Sequence, residues 1–299
     1  MRMKYVSTIQ AKMKSTRVIQ TRKATTQILD GSYHSMMKGR SNNFDELREY
    51  ADGDDVKDVD WKASARSRKL LVRQYIAEKK HNIMLVMDTN RRMLAHSSFG
   101  VEKRKLAWMS GGMLACMVNR NGDYISATYA TKQSIHHFPF KSGFPNIESI
   151  LSNYDKSITE DNRSVVGLPL DYILRHFKRR MIILIVTDTE GLLGIPDVLL
   201  KRLMVLHDIL VVRIGDANLS GKDVYDVEAG AYLPDFFTKD KKLLRMEEKL
   251  KLQQEVDVAN KLKTFGIVGI TVESPDEVEG RLVELLNRHK GEKRNGHNR

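Results

Sequence analysis

The sequence predicts an α/β protein built on a doubly wound, mainly parallel sheet. Three observations carry that expectation. Short, continuously apolar runs at residues 82–89, 181–188, 207–215 and 266–272 suit strands buried on both faces. Stretches of helical period separate them, which implies right-handed crossovers and a sheet covered on both sides. Two of the runs end in aspartate, Asp88 and Asp188, and in such sheets function collects at the carboxyl ends of the strands, near the switch point.

The elements follow in order. Val6, Ile9, Met13, Val18, Ile19 and Ile28 predict a weakly amphipathic helical arm over residues 1–30, ending near Asp30-Gly31. Residues 31–43, rich in Gly, Ser and Asn, read as a loop. Residues 44–66 form an acidic box. After the strand ending at Asp88, a helix over 102–120 carries Leu106, Met109, Met113, Leu114 and Met117 on one side. Tyr124–Ala130 is a second strand and Ser134–Phe140 a third, its hairpin partner. Residues 147–151 and 170–177 look helical. Met181–Asp188 is the strongest strand. Pro196 opens a helix through Leu206, as proline suits a first turn. His207–Gly215 is another buried strand, Asp240–Phe265 a charged helix, Gly266–Val272 the last strand and Pro275–Arg288 a closing helix. This divides the chain into a basic arm with the acidic box (residues 1–80), an α/β domain (81–290) and a basic tail (291–299).

The chain has 299 residues, 41% of them hydrophobic, enough for a sizeable core. No apolar run approaches the roughly 18–20 residues of a membrane helix. The basic amino terminus lacks the apolar core of a signal peptide. One cysteine, Cys116, excludes an internal disulfide. These features point to a soluble cytoplasmic protein. The net charge of +12 is concentrated in the ends: +8 in residues 1–43 and +4 in residues 288–299, against −4 in the box. Such ends suit nucleic acid, an anionic surface or an acidic protein, or simply keep the chain soluble. No reader fold accompanies them, so nothing would specify a nucleic-acid sequence.

The box, FDELREYADGDDVKDVDWKASAR, has eight carboxylates and four bases. In one reading it is structural: Arg48 and Arg66 bridge Asp54, Asp55 and Asp60, Trp61 is buried as an anchor, and Gly53 makes a turn. In another, Asp54 or Asp55 with Asp60 and Lys62 holds Mg²⁺ and activates water on a phosphodiester, as in a nuclease or phosphoesterase. Other motifs fall short. Gly215-DANLS-Gly221-Lys222 has the wrong spacing for a phosphate loop, and Asp223 stands where Ser or Thr is needed. His136 and His137 point to opposite faces of a strand and cannot share a metal. Cys116 reads as core packing, and Met36-Met37 as a contact surface in a loop.

Gly39, Phe44, Arg48, Tyr50, Gly53, Asp54, Asp55, Asp60, Trp61, Ser64, Ala65 and Arg66 together resemble the signature of the domain-of-unknown-function 58 family. Members carry a von Willebrand factor A-like (Rossmann-type) domain and are often encoded beside MoxR-type AAA+ ATPases. The resemblance implies a non-enzymatic interaction module or adaptor with a metal-ion-dependent adhesion site, and a MoxR-type AAA+ ATPase as partner. That site uses D-x-S-x-S after the first strand, a later threonine and an aspartate after the fourth strand. Here the sequence has Asp88-Thr89-Asn90-Arg91-Arg92. Asp88, Asn90 and Asp188 are the metal ligands the resemblance implies, for Mg²⁺, with Thr159 and Ser164 as further candidates. Arg92, standing where the second serine should be, would repel a cation. It would instead pair with Asp88 or Asp188 and leave the site without a cofactor. The expected docking face is Asp88, Asn90, Arg91, Arg92, Asp188 and Glu190. With a metal, its open position takes a partner carboxylate; without one, Arg91 and Arg92 do.

Overall fold

The computed structural model describes residues 3–19, 46–51, 56, 59–74, 80–217, 225–226, 231–232 and 241–296. Its centre is a six-stranded sheet of β3 (Asn82–Met87), β4 (Tyr124–Ala130), β5 (Ile135–Lys141), β6 (Ile182–Asp188), β7 (Asp208–Ile214) and β10 (Val268–Val272). The strand order is β10-β7-β6-β3-β4-β5, and all pairs are parallel except the hairpin of β4 and β5. This is the doubly wound, von Willebrand factor A-like arrangement. The order reverses between β3 and β6, the two strands that end at Asp88 and Asp188.

Helices cover both faces. They are α1 (Lys4–Ile19), α3 (Lys103–Arg120), α4 (Phe144–Ser157), α5 (Gly167–His176), α6 (Thr189–Leu193), α7 (Asp197–Met204), α8 (Lys241–Phe265) and α9 (Val278–Gly296). Period-two alternation sorts the strand residues between two cores. Ile83, Leu85, Met87, Leu184 and Val186 pack with α1, α3, α4 and α9. Met84, Val86, Ile183 and Ile185 pack with α5, α7 and the end of α8.

Of the predicted helical arm the structure describes Lys4–Ile19 as helix, and residues 20–45 lie outside the described residues. Its first half is not a peripheral appendage. Val6, Ile9 and Met13 are buried in the core. Glu148 of α4 accepts the backbone N–H groups of Tyr5 (3.1 Å) and Val6 (2.8 Å), capping a helix with no acid of its own in the first turn. The Tyr5 ring meets Trp108 edge-on at 5.2 Å. A Cβ on Gly112 would collide with Ile9 and Leu151, so glycine lets α1 and α4 close on α3.

The acidic box holds secondary structure that its charge conceals. Strands β1 (Glu46–Glu49) and β2 (Leu71–Gln74) pair antiparallel around α2 (Trp61–Ser67). The Asp60 carboxylate caps α2, accepting from the N–H groups of Lys62 (3.1 Å) and Ala63 (3.0 Å). Ser64 accepts the Leu71 N–H at 2.8 Å, tying α2 to β2. The expectation of a buried Trp61 is wrong. It stands at the first position of α2 with 63% of its surface exposed, because this short helix buries only Ser64. The two-residue pair β8 (Tyr225–Asp226) and β9 (Ala231–Tyr232) completes the described strands.

If α1 is part of the core, Ile9→Ala is expected to destabilise the whole domain by about 3 kcal/mol in urea denaturation, as removal of a fully buried aliphatic side chain does. An unchanged midpoint would show that α1 is not packed there.

Candidate functional site

The two strand-end aspartates converge. Val186 accepts the Asp88 N–H at 2.8 Å, so β3 and β6 finish side by side. Both carboxylates are sealed in, at 2% exposed for Asp88 and 1% for Asp188. Buried charges need partners, and each has its own set. Asp88 accepts from the Asn90 N–H (2.9 Å) and the Thr187 hydroxyl (2.7 Å), with the Arg92 guanidinium 3.7 Å away. Asp188 accepts from the Gly191 N–H (2.7 Å), the Arg92 Nε (3.1 Å) and the Lys103 Nζ (2.8 Å). Lys103 is 2% exposed and also pairs with Asp216. Gly191 is required here: a Cβ would strike the Thr187 hydroxyl and the Asp88 carboxylate.

Arg92 therefore bridges the aspartates, with Glu190 as a third neighbour 3.5 Å from its Nε. Of the docking residues expected from sequence, Glu190 and Arg92 reach the surface, with 73% and 19% of their side chains exposed. Asn90 is turned inward. Its Oδ1 accepts the Arg92 N–H at 3.0 Å, capping the 3₁₀ turn Arg91–Leu94, and its Nδ2 donates to the Ser164 carbonyl at 2.9 Å. Arg91 is buried, its N–H bonded to the Asn162 carbonyl, so it does not present its charge as expected. Ser164 contacts Thr89 at 3.1 Å, whereas Thr159 bonds Asp161 away from the aspartates.

The charges act on one another. Burial pushes Asp188 up, but Lys103 and Arg92 outweigh it and hold the carboxyl down at about 2. Burial and the adjacent Asp188 raise Asp88 to about 6. Burial lowers Arg92 and Lys103, yet their carboxylates more than restore them, and both rise. At neutral pH the centre is a self-compensated cluster.

The residues do not fit the metal ion that the fold family implies. Asp188 is taken by two side-chain cations, and the Asn90 oxygen by a backbone N–H. A guanidinium lies against both carboxylates, where an ion would need to be. Asp88, Asn90 and Asp188 are thus corrected from metal ligands to hydrogen-bond partners of the protein itself. Among the described residues, no group of three or more His, Cys, Asp or Glu side chains is arranged to hold an ion.

Sequence reasoning missed Lys103, Asp216, Thr187 and Gly191. Lys103 carries the one usable signal. A lysine in the first turn of a helix opposes the helix dipole, so its placement calls for a carboxylate. Of the box signature, Asp60 and Ser64 fasten α2, Tyr50 donates its N–H to the Leu70 carbonyl at 2.9 Å, and Arg66 is exposed. The Arg48 backbone pairs with Val72. Gly53, Asp54 and Asp55, like Met36-Met37 and residues 218–223 of the near phosphate loop, lie outside the described residues.

Fold and site define a von Willebrand factor A-like domain whose strand-end carboxylates are paired with the chain's own cations. The chain belongs to the family described as "Protein of unknown function DUF58", whose profile matches residues 46–223. It is 26% identical over 206 residues to "Uncharacterized protein Rv1480" of Mycobacterium tuberculosis; the match covers 67% of this chain and 63% of that relative, less than two thirds of its length. Among solved structures it is similar to BatB from Bacteroides thetaiotaomicron, with 14% identity and a TM-score of 0.45 over 71% of this chain and 99% of that one. Another is an aerotolerance-related membrane protein from Bacteroides fragilis, with 14% identity and a TM-score of 0.43 over 70% and 99%. The expectation of a cytoplasmic protein is withdrawn, because structural neighbours are described as membrane proteins. Among the described residues no helix is long and apolar enough to cross a membrane.

The two aspartates are expected to respond oppositely to neutralisation. Asp188, held low, stabilises the fold above its unfolded value and loses that contribution only as pH falls toward about 2. Asp88, held high, binds a proton in the native state from about 3.8 to about 6, so its contribution to stability falls as pH rises through that window. Asp188→Asn leaves two buried cations undercompensated and is expected to cost about 3–5 kcal/mol at neutral pH. Asp88→Asn is expected to raise stability by about 1 kcal/mol and to flatten the dependence through that window. Urea denaturation across the acid range measures both, and equal losses in the two variants would contradict the assignment.

Proposed function

We propose that this chain is a non-enzymatic adaptor that acts with a MoxR-type AAA+ ATPase and docks its partner at the degenerate adhesion site. The observation that carries this reading is the position of Arg92. Its guanidinium sits against Asp88 and Asp188, where the family's site places a metal, and its edge reaches solvent beside exposed Glu190. A partner carboxylate would meet Arg92 and a partner base would meet Glu190, as charge-assisted hydrogen bonds that need no ion. The aspartates do not touch the partner; they hold the arginine. The ATPase as partner rests on the family resemblance of the box, and the absence of catalysis on the consumption of every buried carboxylate of the site by structural pairing. Asp60, the carboxylate the phosphoesterase alternative most needs, is engaged as a helix cap.

Affinity capture with the tagged chain in Mg-ATP is expected to recover a ring ATPase, and Arg92→Glu to reduce recovery at least tenfold while Asp60→Asn does not. Equal recovery by wild type and Arg92→Glu would place the contact elsewhere.

A further inference from the structure

We propose that the amino-terminal edge of the sheet, opposite the aspartate site, is a docking surface for an anionic lipid bilayer, centred on Lys178, Arg179, Arg180, Lys201, Arg202 and Val205. The fold assembles this patch from two connections. One runs from α5 into β6 and contains Lys178-Arg179-Arg180. The other is the carboxyl end of α7 with the turn into β7: Lys201 and Arg202 stand in the last turn of the helix and Val205 just past it. They meet because β6 and β7 are paired: the Met181 carbonyl accepts the Asp208 N–H at 3.0 Å, and Arg180 reaches Asp208 at 3.2 Å. All five bases are exposed.

Helix ends explain part of this. α5 and α7 both finish at this edge, and cations offset the partial negative charge of their last carbonyls. Lys178 does so, donating to the Leu174 carbonyl at 3.1 Å. The run continues past the helix, however, and the nearby acids are taken up locally: Asp208 by Arg180, and Asp171 by Arg175 at 2.7 Å. The positive charge is therefore in excess and faces outward. Within it stands Val205, an apolar side chain 88% exposed at the loop tip. Bases around an exposed apolar tip suit a headgroup layer, where the cations meet phosphates and the aliphatic group enters the interface. Single-stranded nucleic acid would call for exposed rings to stack on. The rings beside the patch, Phe177 and Tyr172, instead pack against His137 at 5.1 and 6.0 Å between centroids.

The proposal stands independently of the adaptor reading, since the patch lies at the other edge of the sheet. The test is sedimentation of the full chain with vesicles of phosphatidylcholine alone or containing about one-third phosphatidylglycerol, at low and high salt. Wild type is expected to bind only the anionic vesicles and to be released by salt. The double variant Lys178→Gln, Arg179→Gln keeps both basic ends of the chain and is expected to bind about thirty-fold more weakly, at about 1 kcal/mol per cation. Val205→Ser is expected to weaken binding less, and a second charge variant, Lys201→Gln with Arg202→Gln, covers the case in which the first loses its fold. Equal binding to neutral vesicles, or undiminished binding by both charge variants, overturns the proposal. So does tighter binding to oligothymidylate, measured by anisotropy and lost in those variants, which assigns the patch to nucleic acid.

Discussion

One buried carboxylate organises the functional end of this molecule. Asp188 closes the most deeply buried strand, where an uncompensated charge would be costly, and it is held by Lys103, Arg92 and the Gly191 N–H. Each partner fixes a separate element. Gly191 sets the first turn of α6, Lys103 fixes the start of α3, and Arg92 fixes the 3₁₀ turn after β3. Lys103 sits in a first turn where a cation is unfavourable on dipole grounds, so the attraction to Asp188 and Asp216 outweighs that preference. Asp88, with the weaker hold on the cations, is left to carry the strain of two adjacent carboxylates.

Much of the fold was legible because buried parallel strands leave an unambiguous signal. The runs ending in Asp88 and Asp188 identified the strands, their ends and the convergence of those ends. The antiparallel edge followed from the short connection between β4 and β5. The β1–α2–β2 unit was hidden, since Glu-Leu-Arg-Glu lacks strand alternation and the density of charge drew attention to ion pairing. Trp61 was misread for a related reason: aromatic residues are usually buried, and only the position of a residue on a short, mostly solvated helix decides otherwise.

The site was legible in its residues and not in its wiring. Arg92 could be read as a replacement for a metal because it occupies a ligand position in a known pattern. Lys103 offered only its unfavourable place in a first turn, because its partner lies 85 residues away in sequence and a lysine ordinarily keeps its ammonium in water. Burial decided Arg91 in the same way. The result is a site whose chemistry differs from that of a metal-dependent adhesion domain, although its fold is the same: the positive charge at the strand ends is covalently part of the chain.

The most direct test of that claim is calorimetric titration of the chain with Mg²⁺ and Mn²⁺, alongside the Arg92→Ser, Lys103→Met double variant. A built-in cation predicts no saturable heat for wild type at millimolar metal, and binding that appears when both bases are removed. Stoichiometric metal binding by wild type, lost in Asp188→Asn, would contradict it.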